Sequence, residues 1–195
     1  MRTACTTVAT AVLIAAVTGS GAATADDSGL RVAETAVRIA GGTSPSTRIQ
    51  YYALHGDVGF QLWRHADQWF TDRDVAARWI VEPWVAFVND QHRPHKTSGV
   101  EIGVSPIFGK LTFGGARLRP FVEGGEGIFY TDRHKRQLGS TVLFSSQIGG
   151  GFEYQIRPGL AFTLAARLRH ASNAGLAHNN SGVNVLFGLV GLTFR

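Results

Sequence analysis

Apolar and polar residues alternate along most of this chain with a period of two. From Phe162 to Arg169, Phe162, Leu164, Ala166 and Leu168 share one face, and Thr163, Arg167 and Arg169 share the other. A strand sends successive side chains to opposite faces, so such a run predicts a strand. The same sense recurs upstream. Trp79, Val81, Val85 and Phe87 oppose Arg78 and Glu82; Val100, Ile102, Val104 and Phe108 oppose Glu101 and Ser105. Val142, Phe144, Ile148 and Phe152 oppose Ser145, Gln147 and Glu153. Clusters of Gly, Pro, Asn, Asp and Ser separate the runs and mark turns. The pattern predicts eight strands, at approximately 35–42, 49–64, 76–90, 98–109, 117–130, 141–155, 160–172 and 182–194. The charged, aromatic stretch from Arg64 to Asp74 reads as a loop.

A soluble sandwich turns its apolar faces inward and covers its outside with charge. Here one face of most strands is apolar, and the other carries small polar residues and isolated charges of both signs. This inverted pattern predicts an all-β fold: an eight-stranded antiparallel transmembrane β-barrel with a lipid-facing belt and a packed polar interior. Eight strands make a narrow barrel whose lumen is filled by side chains, which excludes a porin. Glu82, Glu101, Glu123 and Glu153 are placed to pair with Arg78, Arg167 and Arg169 inside it. Glu126 falls on the opposite face from Glu123, at a rim. Trp63, Trp69, Phe70, Trp79, Trp84, Tyr130 and Phe194 fall near strand ends, as interfacial aromatics do. Phe194 is one residue short of the C-terminus.

The N-terminus changes the compartment. Arg2 is a short basic region, Val8 to Val17 is an apolar core too short to span a bilayer, and Ala23-Thr24-Ala25 fits a small-x-small cleavage site. Residues 1–25 therefore read as a signal peptide and residues 26–195 as one barrel domain. The single cysteine, Cys5, lies in the leader and precedes its apolar core, so it is no lipidation site. The mature chain has neither disulfide nor thiol chemistry. Losing Arg2 lowers the formal charge from +5 to +4. Export and the lack of a basic cluster interleaved with aromatics argue against nucleic acid. His92 and His95 lie three apart in a polar loop with no cysteine or acid beside them, so a solvated loop accounts for them better than a metal site.

The chemistry gathers near the C-terminus. His170 and Ser172 continue the apolar face of the seventh strand, followed by Asn173, Ala174 and Gly175. A hairpin centred near Leu176 or Ala177 sets His170 opposite Asn184, on the outward face. Ser172 can attack a carbonyl, with His170 taking its proton. The side chain of Asn173 and the loop amides near Gly175 can stabilise an oxyanion. On spacing alone, a histidine and serine two apart are more often a chance pair. On a lipid-facing stripe, polar groups are costly and point to function. A reactive pair on that face suits a greasy substrate.

His170-Ala171-Ser172-Asn173-Ala174-Gly175-Leu176, followed by Asn180-Ser181-Gly182-Val183-Asn184, resembles the C-terminal signature of the PagL family, the lipid A 3-O-deacylases of the Gram-negative outer membrane. Phe121-Val122-Glu123-Gly124-Gly125 resembles that family's barrel more weakly. The resemblance implies hydrolysis of the ester-linked 3-hydroxyacyl chain at the 3-position of lipid A, with no metal or cofactor. It implies His170 as base, Ser172 as nucleophile and Asn173 in the oxyanion hole. The family's third catalytic residue is a glutamate, and the matching position here is Asn184. No Asp or Glu follows Glu153 in the sequence. The implied partner is lipopolysaccharide, and a homodimer is compatible with such a barrel. Two other readings stay open: a non-catalytic outer-membrane barrel that retains the scaffold, and a soluble or periplasmic barrel that holds a lipid in its lumen.

Overall fold

A computed structural model describes residues 30–45, 49–90, 97–115, 117–132 and 138–195. The leader expected over residues 1–25 and the loop histidines His92 and His95 lie outside the described residues. The strands are β1 (Val32–Ser44), β2 (Ile49–Gln61), β3 (Val75–Asp90), β4 (Thr97–Phe113), β5 (Leu118–Thr131), β6 (Val142–Arg157), β7 (Leu160–Ser172) and β8 (Val183–Phe194). Each pairs with the next, and β8 closes on β1 from Thr35↔Phe194 to Thr43↔Leu186. Every pairing is antiparallel. The result is the closed eight-stranded barrel that the alternation predicts, and closure leaves no unpaired edge.

The two faces differ as predicted. On β7, Thr163, Ala165, Arg167, Arg169 and Ala171 are buried inward, while Phe162, Leu164 and Leu168 stand exposed. Outside, Ile39, Ile107, Ile148 and Leu186 are each more than half exposed. So large and continuous an apolar surface is untenable in water and fits a hydrocarbon surround.

The lumen is closed by ion pairs. Arg38 meets Asp57 at 2.6 Å and both Glu82 and Glu123 at 2.9 Å. Arg167 crosses to Glu82 at 2.7 Å and Glu123 at 2.6 Å. Lys110 lies 2.7 Å from Glu34 and 2.6 Å from Glu153, which Arg195 also reaches. Arg169 pairs with Glu101 at 2.8 Å and sits 4.9–5.3 Å from the ring centroids of Tyr51, Trp84, Phe129 and Phe187. Buried charges survive only when paired and hydrogen-bonded in this way. A lumen lined by buried ion pairs offers charge where a lipid chain needs apolar surface, which argues against the lumen-binding reading.

Four local expectations change. The stretch from Arg64 is not all loop: α1 (Arg64–Thr71) occupies most of it, with Asp67 in its first turn. Eight residues make little more than two turns, too few for a helical period to show. Arg78 pairs with Asp67 of this helix at 3.1 Å instead of a lumen glutamate. Phe108 points inward and is buried, because the β4–β5 pairing slips between Val104 and Ile107 and the alternation changes phase there. Trp84 also points inward, two residues from Glu82 and on the same face, so it packs around Arg169 and is no interfacial aromatic.

Candidate active site

β7 and β8 are joined by residues 173–182, at the barrel end opposite both the two-residue β6–β7 turn and the C-terminus. Longer loops face outward from the cell in outer-membrane barrels and short turns face the periplasm. The predicted hairpin register holds: His170 pairs with Asn184. His170 Nδ1 lies 2.7 Å from Asn184 Oδ1. An amide oxygen only accepts, so this contact places a proton on Nδ1 and turns Nε2 away from Asn184. Ser172 follows two residues on along the same face, at a Cα spacing of about 6.6 Å for an extended strand. His170, Ser172 and Asn184 thus share the outward face of one hairpin. Directly beneath, Arg169 is fixed by Glu101 and its four aromatic neighbours, which makes β7 a rigid support.

The loop after Ser172 is built around Asn173, whose side chain is buried. Its Nδ2 donates to the carbonyls of Leu138 (2.7 Å), Ala177 (3.2 Å) and Asn179 (2.9 Å). Its Oδ1 accepts from the Gly175 N–H at 2.8 Å, and its own N–H donates to Asn180 Oδ1 at 2.9 Å. The Asn173 amide and the Gly175 N–H, both expected to face an oxyanion, are bonded within the loop and, for Asn173, also to the neighbouring β5–β6 connection. The reason is burial: an enclosed amide takes whatever carbonyls surround it, because leaving it unpaired costs about 1–3 kcal/mol. Asn173 ties this loop to Leu138 of the β5–β6 connection. The backbone donor beside the Ser172 hydroxyl is the Ala174 N–H, 3.5 Å from Ser172 Oγ. Ala174 and Gly175 are both left-handed, at φ +53° and +82°. Such a conformation is free for Gly175 but costs Ala174 about 1–3 kcal/mol, a strain typical of functional turns. Asn173→Ala is expected to lower the rate of ester hydrolysis by at least ~10²-fold through loss of loop geometry. The barrel itself should stay folded, as heat-modifiable gel migration will report.

Gly182 fixes the imidazole from the other side. A Cβ there would lie 2.7 Å from His170 Cε1 and 3.3 Å from Nε2, and Gly182 itself has φ +67°. Gly182→Ala should therefore displace the ring. An ångström of misplacement costs about 10²-fold, so kcat should fall by roughly that factor with KM little changed. Steady-state kinetics on a folded variant checks this.

The barrel register adds a residue that sequence separation hid. Glu126 pairs with Ser146, Ser146 with His170, and His170 with Asn184. Four polar residues thus form one lateral row across β5, β6, β7 and β8 on the outer wall. Ser146 Oγ lies 2.8 Å from Glu126 Oε2, donating to the carboxylate. Glu126 is not simply at a rim: it faces out among Val122, Gly124, Ile128 and Tyr130 of its own strand. The nearest acid on this face comes from two strands away, which is why no search along the chain after Glu153 finds it. Among the described residues, no group of His, Cys, Asp and Glu is arranged to hold a metal ion.

The geometry agrees with comparisons to known proteins. A structure described as the outer membrane enzyme PagL superposes with a TM-score of 0.65 at 19% identity, covering 80% of this chain and 97% of that one. Neisserial surface protein A superposes with a TM-score of 0.53 at 11% identity, covering 83% and 94%. At such identities these likenesses show the fold. No curated protein sequence matches the chain. The family model for lipid A 3-O-deacylase (PagL) matches residues 50–193, from β2 into β8. This barrel of the Gram-negative outer membrane belongs to the PagL family of lipid A 3-O-deacylases.

Proposed function

We propose that this chain hydrolyses the ester-linked 3-hydroxyacyl chain at the 3-position of lipid A, with Ser172 as nucleophile and His170 as general base. The observation that carries the reading is the 2.7 Å contact between His170 Nδ1 and Asn184 Oδ1 on the lipid-facing wall, beside Ser172 on the same strand face. Polar groups on that wall are destabilising unless they serve a purpose. A substrate whose acyl chains lie along the barrel brings its esters to the level of the strand ends.

The steps balance with substrate and water alone. Ser172 Oγ bonds to the ester carbonyl carbon while His170 Nε2 takes the hydroxyl proton. The carbonyl oxygen becomes an oxyanion beside the Ala174 N–H. The tetrahedral adduct breaks its bond to the sugar oxygen, which leaves with the proton from His170. Water then attacks the acyl-serine, gives its proton to Nε2 and releases the 3-hydroxy acid, and Ser172 recovers its proton. Asn184 holds the tautomer and ring orientation throughout. It brings no negative charge to the imidazolium, so each protonated stage is less stabilised than in a triad with an acid.

Asn184 is also the one observation that favours a scaffold without catalysis. Purified chain in detergent micelles with lipid A separates the two readings. Deacylation predicts free 3-hydroxy fatty acid and a lipid A lighter by one ester-linked chain. Folded protein that releases none would establish the scaffold reading.

A further inference from the structure

We propose that Glu126, supported by Ser146, is a substrate-binding subsite that accepts a hydrogen bond from a neutral hydroxyl or amide N–H of the lipid's sugar head group. The inference rests on the proposed esterase site and adds to it the residue that orients the head group.

Placement is the first argument. Glu126 is the only carboxylate on an outward strand position among the described residues, and it lies in the same lateral row as His170. Two strand spacings separate their Cα atoms, or about 10 Å. That is the reach of an amino sugar bound with one ester at Ser172. Chemistry is the second. An ionised carboxylate offers about four lone-pair sites. Ser146 Oγ is the hydroxyl recorded on Glu126 Oε2, at 2.8 Å. The outward neighbours Gly124, Ile128, Phe144 and Ile148 are apolar or bare, and bring neither a cation nor a donor. A charge in such a setting destabilises the barrel wall, in contrast to the paired glutamates of the lumen. Local backbone is the third. The β4–β5 pairing breaks immediately beside Glu126: Val104 pairs with Ile128 and Ile107 with Glu126, so Pro106 and Ile107 both face out. Bulges of this kind re-aim side chains next to functional sites.

A carboxylate there also has a selective consequence. It accepts from neutral O–H and N–H donors and repels phosphate. The head group is therefore turned so that its phosphates lie away from β5, and this choice of orientation decides which ester reaches Ser172.

The test uses the full barrel in micelles, with heat-modifiable migration confirming that each variant folds. Binding of purified lipid A is measured to Ser172→Ala and to Ser172→Ala carrying Glu126→Ala. The subsite predicts a Kd at least ~10-fold weaker in the double variant, a typical worth for hydrogen bonds to a charged group. With Ser172 intact, kcat/KM is compared for lipid A and for a p-nitrophenyl ester of a straight-chain fatty acid, which lacks head-group donors. Glu126→Ala should lower the ratio of the two by at least ~10-fold, and Glu126→Gln, which keeps one acceptor, by less. An unchanged Kd and ratio would overturn the proposal. So would an equal fall on both substrates, which would place Glu126 at the reacting groups instead of the head group. If the wild-type chain hydrolyses neither substrate, the esterase reading fails, and the binding comparison still decides the subsite.

Discussion

Ser172→Ala should remove lipid A deacylation while leaving the barrel folded. The alanine loses only an oxygen that no strand pairing uses, and Ser172 ends β7 at a half-exposed position. How large the fall is depends on how well Asn184 serves. In a serine protease, removing the serine costs about 2 × 10⁶ in kcat and removing the acid about 3 × 10⁴, because the three residues act as a unit. If Asn184 is no better than a missing acid, the wild-type chain already bears that second loss. Ser172→Ala then costs a further ~10²-fold, the quotient of the two figures. If Asn184 is a competent partner, the loss approaches ~10⁶-fold. Single-turnover release of 3-hydroxy fatty acid from lipid A measures it. A folded Ser172→Ala variant with wild-type rate contradicts the nucleophile assignment.

Asn184→Glu should move the rate the other way. The serine-protease exchange of aspartate for asparagine lowers kcat by about 10⁴, so restoring a carboxylate can raise it by up to ~10⁴-fold. Two effects oppose the full gain. A glutamate is one methylene longer than the asparagine that now sits 2.7 Å from His170 Nδ1. It also adds a charge to a lipid-facing position, which lowers barrel stability. Asn184→Asp keeps the side-chain length and separates these effects: it should equal or exceed Asn184→Glu if spacing is decisive. Asn184→Leu removes the acceptor and should slow the reaction, because the imidazole then loses its fixed tautomer. The two predictions are coupled. Once Asn184→Glu restores the unit, adding Ser172→Ala should cost more than it does in the wild-type chain. Equal costs in both backgrounds would mean that position 184 does not act through the serine.

Much of this was legible from alternation alone. Period two carries through β7 and β8, and through β6 as far as Gln155, where the pairing with β7 slips, so the inward face of Arg167 and Arg169 and the His170–Asn184 register follow from parity and the hairpin centre. Alternation fails where the backbone breaks it. Parity alone turns Phe108 outward, because the slip between Val104 and Ile107 leaves no trace in the order of apolar and polar residues. Trp84 shows the converse: its parity with Glu82 already placed it inside, against the expectation for a bulky aromatic. The helix at Arg64–Thr71 is too short to announce a period. At the candidate site, Ser172, His170 and Asn184 are legible as neighbours because one hairpin holds them. The resemblance implies an oxyanion role for Asn173, and residue type alone does not reveal its burial or the three carbonyl partners through which it anchors the loop. Glu126 was visible as an acid out of phase with its strand. Its meaning needed the registers of β5 with β6 and of β6 with β7 together.

The most direct test of the account is the mass spectrum of lipid A from Gram-negative outer membranes that carry the wild-type chain or folded Ser172→Ala. The account predicts that the wild-type chain yields a species lacking one ester-linked 3-hydroxyacyl group, and that this species disappears with Ser172→Ala. Identical spectra from the two membranes, with both barrels folded, would contradict it.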